Sequence, residues 1–162
     1  NYSYCTYLDL SRVIGVSEIP SYAFDYSRLT TVYLPTTIKS INSNAFNSCA
    51  NLEYVTIPET VRSIGNRAFY DCSKLENIIC RIPADSLFTI NSNIFAGVDK
   101  SKCLLYVPKG AKATYATTEG WAEFEKIIEL NSLARYSDGF YKLSSLQDSQ
   151  RSLYMFIYYI FF

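Results

Sequence analysis

The strongest constraint on this chain is that its sequence repeats. Residues 41–64 read INSNAFNSCANLEYVTIPETVRSI, the stretch after them, 64–82, reads IGNRAFYDCSKLENIICRI, and the stretch before them, 19–41, reads IPSYAFDYSRLTTVYLPTTIKSI. Aligned on a small–aromatic pair, Ala23-Phe24, Ala45-Phe46 and Ala68-Phe69 correspond, and Ile94-Phe95 is a fourth copy with Ile for Ala. Leu29, Leu52 and Leu75 follow at intervals of 23, as do Val32, Val55 and Ile78, and Leu34, Ile57 and Cys80. Self-similarity at a fixed period of this size marks stacked units, none of which can bury its apolar set alone.

Each copy holds one short strand signal. Around Tyr54-Val55-Thr56-Ile57, apolar and polar residues alternate with period two, and Pro58, which lacks an N–H for a ladder, ends the run. One strand per repeat is too few for an antiparallel meander. It fits a coil that makes one circuit per repeat, with each strand parallel to its copy about 4.8 Å away. The expected fold is an α/β-type repeat solenoid with one short parallel strand per repeat of 23 residues and a small C-terminal cap. Stacking places Phe24, Phe46, Phe69 and Phe95 in one interior column, Leu29, Leu52 and Leu75 in a second, and Ile19, Ile41, Ile64 and Ile90 in a third.

The pattern Ala-Phe-x-x-Cys-x-x-Leu-x-x-Val-x-Ile-Pro-x-x-Val-x-x-Ile, met at every named position by residues 45–64, resembles the BspA-type leucine-rich repeat of bacterial surface proteins. The resemblance covers about residues 5–130. Its arrays often end in Val-Pro-x-Gly, then a Tyr, then Trp-x-x-Phe, matched here by Val107-Pro108-Lys109-Gly110, Tyr115, Trp121 and Phe124. It implies a leucine-rich repeat coil, a place at the cell surface or outside the cell, and a role in adhesion or ligand binding.

Taken in order, residues 5–19 read as a degenerate coil in which Cys5, Leu8 and Leu10 keep the spacing of Leu29, Val32 and Leu34. Coils follow at about 19–41, 41–64, 64–90 and 90–108. The segment from Cys80 to Ile90 is longer than its counterpart from Ile57 to Ile64, so residues 81–86 read as a bulged turn. In the last coil Lys102 stands where a leucine belongs. Residues 109–130 read as the cap. Residues 110–118 can form a short helix, and Trp121, Phe124, Ile127 and Ile128 recur at helical spacing. Residues 1–130 are thus one repeat domain. Residues 131–162 read as a polar, Ser-rich linker and an apolar end of ten residues from Leu153 to Phe162, half of the ~20 that a membrane-spanning helix needs. Asn1 follows no initiator Met and no basic region precedes an apolar stretch, so the chain reads as processed or cut from a longer one.

Composition narrows the function. Lysine plus arginine and aspartate plus glutamate both total 15, and a net charge of zero argues against a nucleic acid or an anionic membrane surface as partner. Of the five cysteines, Cys49 and Cys72 share one repeat position, and Cys5 and Cys80 stand at leucine and isoleucine positions, which suits buried thiols. A Cys49–Cys72 disulfide is the alternative where geometry allows. The chain has no histidine, which removes Ser-His-Asp and Cys-His catalysis and the commonest transition-metal ligand. Glu119, Glu123, Glu125 and Glu129 fit a solvated helical face better than an acid–base pair. No enzyme, cofactor or metal is expected.

Strand residues that point away from the core form two columns: Asp9, Tyr33, Thr56, Ile79 and Tyr106, and Thr31, Tyr54, Asn77 and Leu104. They are the candidate binding face, with Tyr33, Tyr54 and Tyr106 expected in solvent. Tyrosine suits this use, since it offers large contact area with little entropy loss, although repeats also multiply whatever residue they carry. The expected partner is a host or matrix protein or a glycan. The alternative is a structural spacer that carries another domain.

Overall fold

The computed structural model describes residues 5–130. The linker-like segment and apolar end read at 131–162 lie outside the described residues. The chain winds as a parallel β-solenoid of about 5 turns. Its main sheet has six strands: β1 (Tyr7–Asp9), β3 (Thr31–Tyr33), β5 (Tyr54–Ile57), β7 (Asn77–Cys80), β8 (Leu104–Pro108) and β9 (Lys126–Leu130), in that spatial order. The first five pair in parallel at the register of the sequence repeat, with Val32 opposite Leu8 and Val55, and Ile78 opposite Val55 and Leu105.

A second sheet goes beyond the single strand expected per repeat. It joins β2 (Glu18–Ile19), β4 (Ser40–Ile41) and β6 (Ser63–Ile64), two residues each, in parallel. Runs this short carry no period of their own. Backbone hydrogen bonding to the neighbouring coil, together with burial of Ile19, Ile41 and Ile64, makes them strands.

The third side of each coil is the turn around the small–aromatic pair. Coil is tied to coil there by backbone bonds from Phe24 N–H to the Ala45 carbonyl at 2.8 Å, Phe46 to Ala68 at 2.8 Å and Phe69 to Ile94 at 3.0 Å. Ala45 and Ala68 are fully buried, and Ile94 at the same position of the next coil is buried too. The phenylalanine rings stack almost flat, with centroids 5.1 Å apart for Phe24–Phe46, 5.2 Å for Phe46–Phe69 and 5.3 Å for Phe69–Phe95. The leucine and isoleucine columns are buried as expected.

Two residues in each of the first three full turns adopt positive φ: Tyr22 and Tyr26, Asn44 and Ser48, Arg67 and Asp71; Gly97 takes the second position in the next turn. They flank the small–aromatic pair and reverse the chain sharply enough to send the phenylalanine inward. A left-handed conformation costs an L-residue about 1–2 kcal/mol, least for Asn, Asp and Gly.

The thiol shared by two copies of the repeat has a backbone role as well as an apolar one. Cys49 Sγ donates to the Phe24 carbonyl at 3.1 Å and Cys72 Sγ to the Phe46 carbonyl at 3.2 Å, each one coil back. All five cysteines are free, so the disulfide alternative is not realised, and four are buried. Cys5 differs: it is exposed, and it donates to the Tyr7 carbonyl at 3.1 Å. Lys102, at the leucine position by spacing, turns to solvent and pairs with Asp99 at 2.8 Å, and the adjacent Cys103 is buried instead.

At residues 109–130 the helix is shorter than its spacing suggests. Only α1 (Lys112–Tyr115) is helical, residues 119–125 turn, and Ile127 lies in strand β9. Gly120, at φ +82°, breaks any helix that could carry Trp121 and Phe124 onward. Those two side chains instead meet Phe95, Trp121 tilted at 6.0 Å and Phe124 edge-on at 5.4 Å. Trp121 Nε1 donates to the Phe88 carbonyl at 2.9 Å, and Tyr115 Oη donates to the Ile82 carbonyl at 2.8 Å, so the lengthened turn of residues 81–90 is held by these two rings. The glutamates expected on a helical face are spread over this turn and strand; Glu123 pairs with Lys100 at 3.0 Å, and Glu129 accepts from the Lys112 N–H at 3.0 Å.

Two substitutions measure these features by thermal and denaturant unfolding. Phe69→Ala removes the ring stacked on both sides and is expected to cost about 3–5 kcal/mol. Gly120→Ala forces a side chain into the left-handed region and its Cβ onto the Ile90 carbonyl oxygen, and should destabilise the fold at least as much.

Candidate binding face

Each candidate residue sits on a strand of the six-stranded sheet. The register forms both predicted columns: Asp9, Tyr33, Thr56, Ile79 and Tyr106 are successive partners, as are Thr31, Tyr54, Asn77 and Leu104. They alternate with the interior residues Val32, Val55, Ile78 and Leu105, all 0 % exposed, so period two orients both sets.

Accessibility differs from expectation. Asp9 is exposed, and Thr31, Tyr33, Asn77 and Leu104 are partly exposed. Tyr54, Thr56, Ile79 and Tyr106 are buried, at 7 %, 6 %, 6 % and 3 % exposure. The expectation that Tyr54 and Tyr106 stand in solvent is therefore corrected. Large side chains meet diagonally between the two columns on successive strands: Tyr7 and Tyr33 ring centroids lie 5.8 Å apart, and Tyr33 and Tyr54 5.4 Å. Thr56 is engaged by the preceding coil, its Oγ1 accepting from the Leu34 N–H at 3.3 Å.

Tyr7, which heads the second column, belongs to the same aromatic group. Its position opposite Thr31 was legible from the repeat spacing, but the ragged pattern of the first coil hid it. Arg81, just past the end of β7, is a second residue outside the predicted columns; its positive charge opposes the rise in the Tyr54 pKa that burial produces. Burial pushes the Tyr7 hydroxyl up to about 12, with the Asp9 carboxylate adding to the effect. Burial also raises Tyr106.

The buried thiols Cys72, Cys80 and Cys103 are correspondingly held protonated, whereas the Cys72 contact lowers Cys49, which is shielded by its complete burial. Burial raises Cys80 to about 11, and Cys103 to about 12 with help from Glu76 and Asp99. The contact with Cys49, then burial, raises Cys72. A thiol must ionise to attack, so these residues are packing groups. Among the described residues no group of three or more His, Cys, Asp or Glu side chains could hold a metal ion, and no helix is long and apolar enough to cross a membrane.

Parallel coils, a stacked phenylalanine interior and a strand face with period-two columns define the architecture, and the BspA-type leucine-rich repeat region matches residues 17–114 in six copies. The chain belongs to this family. The family is one of repeat protein-interaction modules and is associated with bacterial surface proteins. BspA-type solenoids, like other leucine-rich repeat folds, are typically non-catalytic binding scaffolds. No curated protein matches the chain.

Two titrations follow from the burial of these groups. With a thiol-specific disulfide reagent at pH 8, the folded chain should react rapidly at Cys5 alone, and the other four thiols should respond only on unfolding. In alkali, a folded tyrosine that keeps its proton to a higher pH than its unfolded counterpart stabilises the fold below pH 10, and this contribution is lost as pH rises. Stability measured against pH should fall between about 10 and 12, the interval set by Tyr7, with phenolate absorbance appearing cooperatively as Tyr54 and Tyr106 are released.

Proposed function

We propose that this BspA-type chain is a surface or secreted adhesion module that recognises an extracellular host or matrix protein through its six-stranded sheet. The observation that carries the reading is the use of tyrosine and small polar residues in the outward columns, where the interior contributes nothing to their choice. Tyr33 and Leu104 supply apolar area, and Thr31, Asn77 and Asp9 supply hydrogen-bonding groups around it, a mixture suited to a protein interface. Tyr54, Thr56, Ile79 and Tyr106, buried beside them, make the face rigid, which limits the ordering cost of binding. A spacer would place no such demand on these columns.

The test is binding of the full chain to an array of extracellular matrix proteins, beside Tyr33→Ser and Asn77→Lys. The native chain should bind at least one of them, and each variant should weaken that binding about tenfold or more while melting within a few degrees of the native chain. Unaltered binding by both variants would move the site off the sheet. No binding by the native chain would favour the spacer.

A further inference from the structure

The turns around the small–aromatic pair form a second surface, separate from the sheet. Its residues also stand in rows: Tyr22, Asn44 and Arg67; Asp25, Asn47 and Tyr70; Tyr26, Ser48 and Asp71. The pitch between rows follows the stacked phenylalanines beneath them, 5.1–5.3 Å.

The two tyrosines of the first turn are not explained by folding. Both hold positive φ, 61° at Tyr22 and 53° at Tyr26, where a bulky residue is an outlier. The backbone bonds made there do not call for tyrosine. Tyr22 N–H donates to the Ser43 carbonyl at 3.3 Å and Tyr26 N–H to the Asn47 carbonyl at 2.9 Å; Asn44 and Ser48 make the equivalent bonds in the next coil at 3.0 and 2.7 Å with residues better suited to the conformation. Nor do the rings shield the half-open end of the phenylalanine stack. A ring doing so would lose surface, yet Tyr22 remains 63 % exposed and Tyr26 73 %. Arg67, the other bulky residue with positive φ, has a partner: its guanidinium lies 5.1 Å from the centre of the Tyr70 ring. Strain retained without a folding return points to function.

The neighbouring chemistry selects the ligand. Asp25 accepts from Asn47 Nδ2 at 2.7 Å, which holds a carboxylate and an amide side by side, and half-exposed Asn44 and Ser48 stand in the adjoining rows. A sugar ring has an apolar C–H face, which an aromatic ring can cover, and a rim of hydroxyls, which planar carboxylate and amide groups can bond. A protein interface wants an apolar centre. The exposed large aliphatic residues Val13 and Ile14 are instead on the loop between β1 and β2, and the large exposed apolar groups of the turn surface, Tyr22 and Tyr26, are aromatic. Its charges are mixed, Asp25 and Asp71 against Arg67, which favours a neutral ligand. Regular rows favour an extended one.

We propose that this turn surface binds a neutral, extended glycan, with Tyr22 and Tyr26 stacking on sugar rings and Asp25, Asn44 and Asn47 bonding hydroxyls. The proposal stands independently of the sheet face. The full chain is titrated with cellohexaose and with chitohexaose by calorimetry, beside Tyr22→Asn/Tyr26→Gly and the control Ile14→Ser. The double variant places well-suited residues at both positive-φ positions, so it should melt at or above the native temperature. The expected result is saturable binding of at least one oligosaccharide by the native chain and by Ile14→Ser, and a loss of tenfold or more in the double variant. Binding of neither oligosaccharide, or equal binding by the double variant, would overturn the proposal. So would a matrix protein that the native chain binds and the double variant does not, with both oligosaccharides ignored; that outcome assigns the turn surface to a protein partner.

Discussion

Everything in this solenoid depends on one repeated contact: a phenylalanine ring lying flat on the ring of the coil before it. Its spacing of 5.1–5.3 Å is slightly wider than the strand separation of about 4.8 Å, and both sheets accommodate it with their register intact. The backbone bond from each phenylalanine N–H to the residue before the next phenylalanine sets the same spacing from the other direction. Dispersion between rings and hydrogen bonding between coils therefore agree at each turn, and such agreement lets short strands, some of only two residues, form at all.

The turn that delivers the phenylalanine requires two left-handed residues per coil, and the sequence meets this demand unevenly. Asn44, Ser48, Asp71 and Gly97 adopt the conformation at modest cost, whereas Tyr22 and Tyr26 do so at greater cost. Because Tyr22, Tyr26, Asn44 and Ser48 tie coil to coil through their backbone N–H groups, the fold constrains φ there and leaves the side chain open to selection by what lies outside. The two ends of the coil stack differ as well. Trp121, Phe124 and Tyr115 close the C-terminal side with aromatic contacts and hydrogen bonds to the lengthened third turn, while Leu8, Leu10, Val16 and Phe24 remain only partly buried on the other.

The strand face shows why a column in the sequence is not yet a surface in the molecule. Alternation assigns Tyr54 and Tyr106 to the outward set, and the register agrees. Exposure depends on what else reaches the same space: the tilted rings of Tyr7, Tyr33 and Tyr54, 5.4–5.8 Å apart, crowd one end of the face. The accessible part of the face is thus carried by its smaller members, Thr31, Asn77 and Leu104, with Asp9 and Tyr33.

The sequence by itself determined the coil, its period, its interior columns, the register of the main sheet and the membership of both outward columns. Each of these follows from spacing, and in a repeat the spacing of one coil is checked by the next. It also marked Trp121 and Phe124 as a pair. The tertiary structure alone decided that the pair stands on a turn and a strand instead of a helix, since Gly120 must bring the chain against the Ile90 carbonyl. It decided that β2, β4 and β6 exist, because two residues have no period to read. It also decided which tyrosines meet solvent: Tyr22 and Tyr26 do, and Tyr54 and Tyr106 do not. Exposure is a property of the space around a side chain, and that space is shared by residues far apart in the sequence.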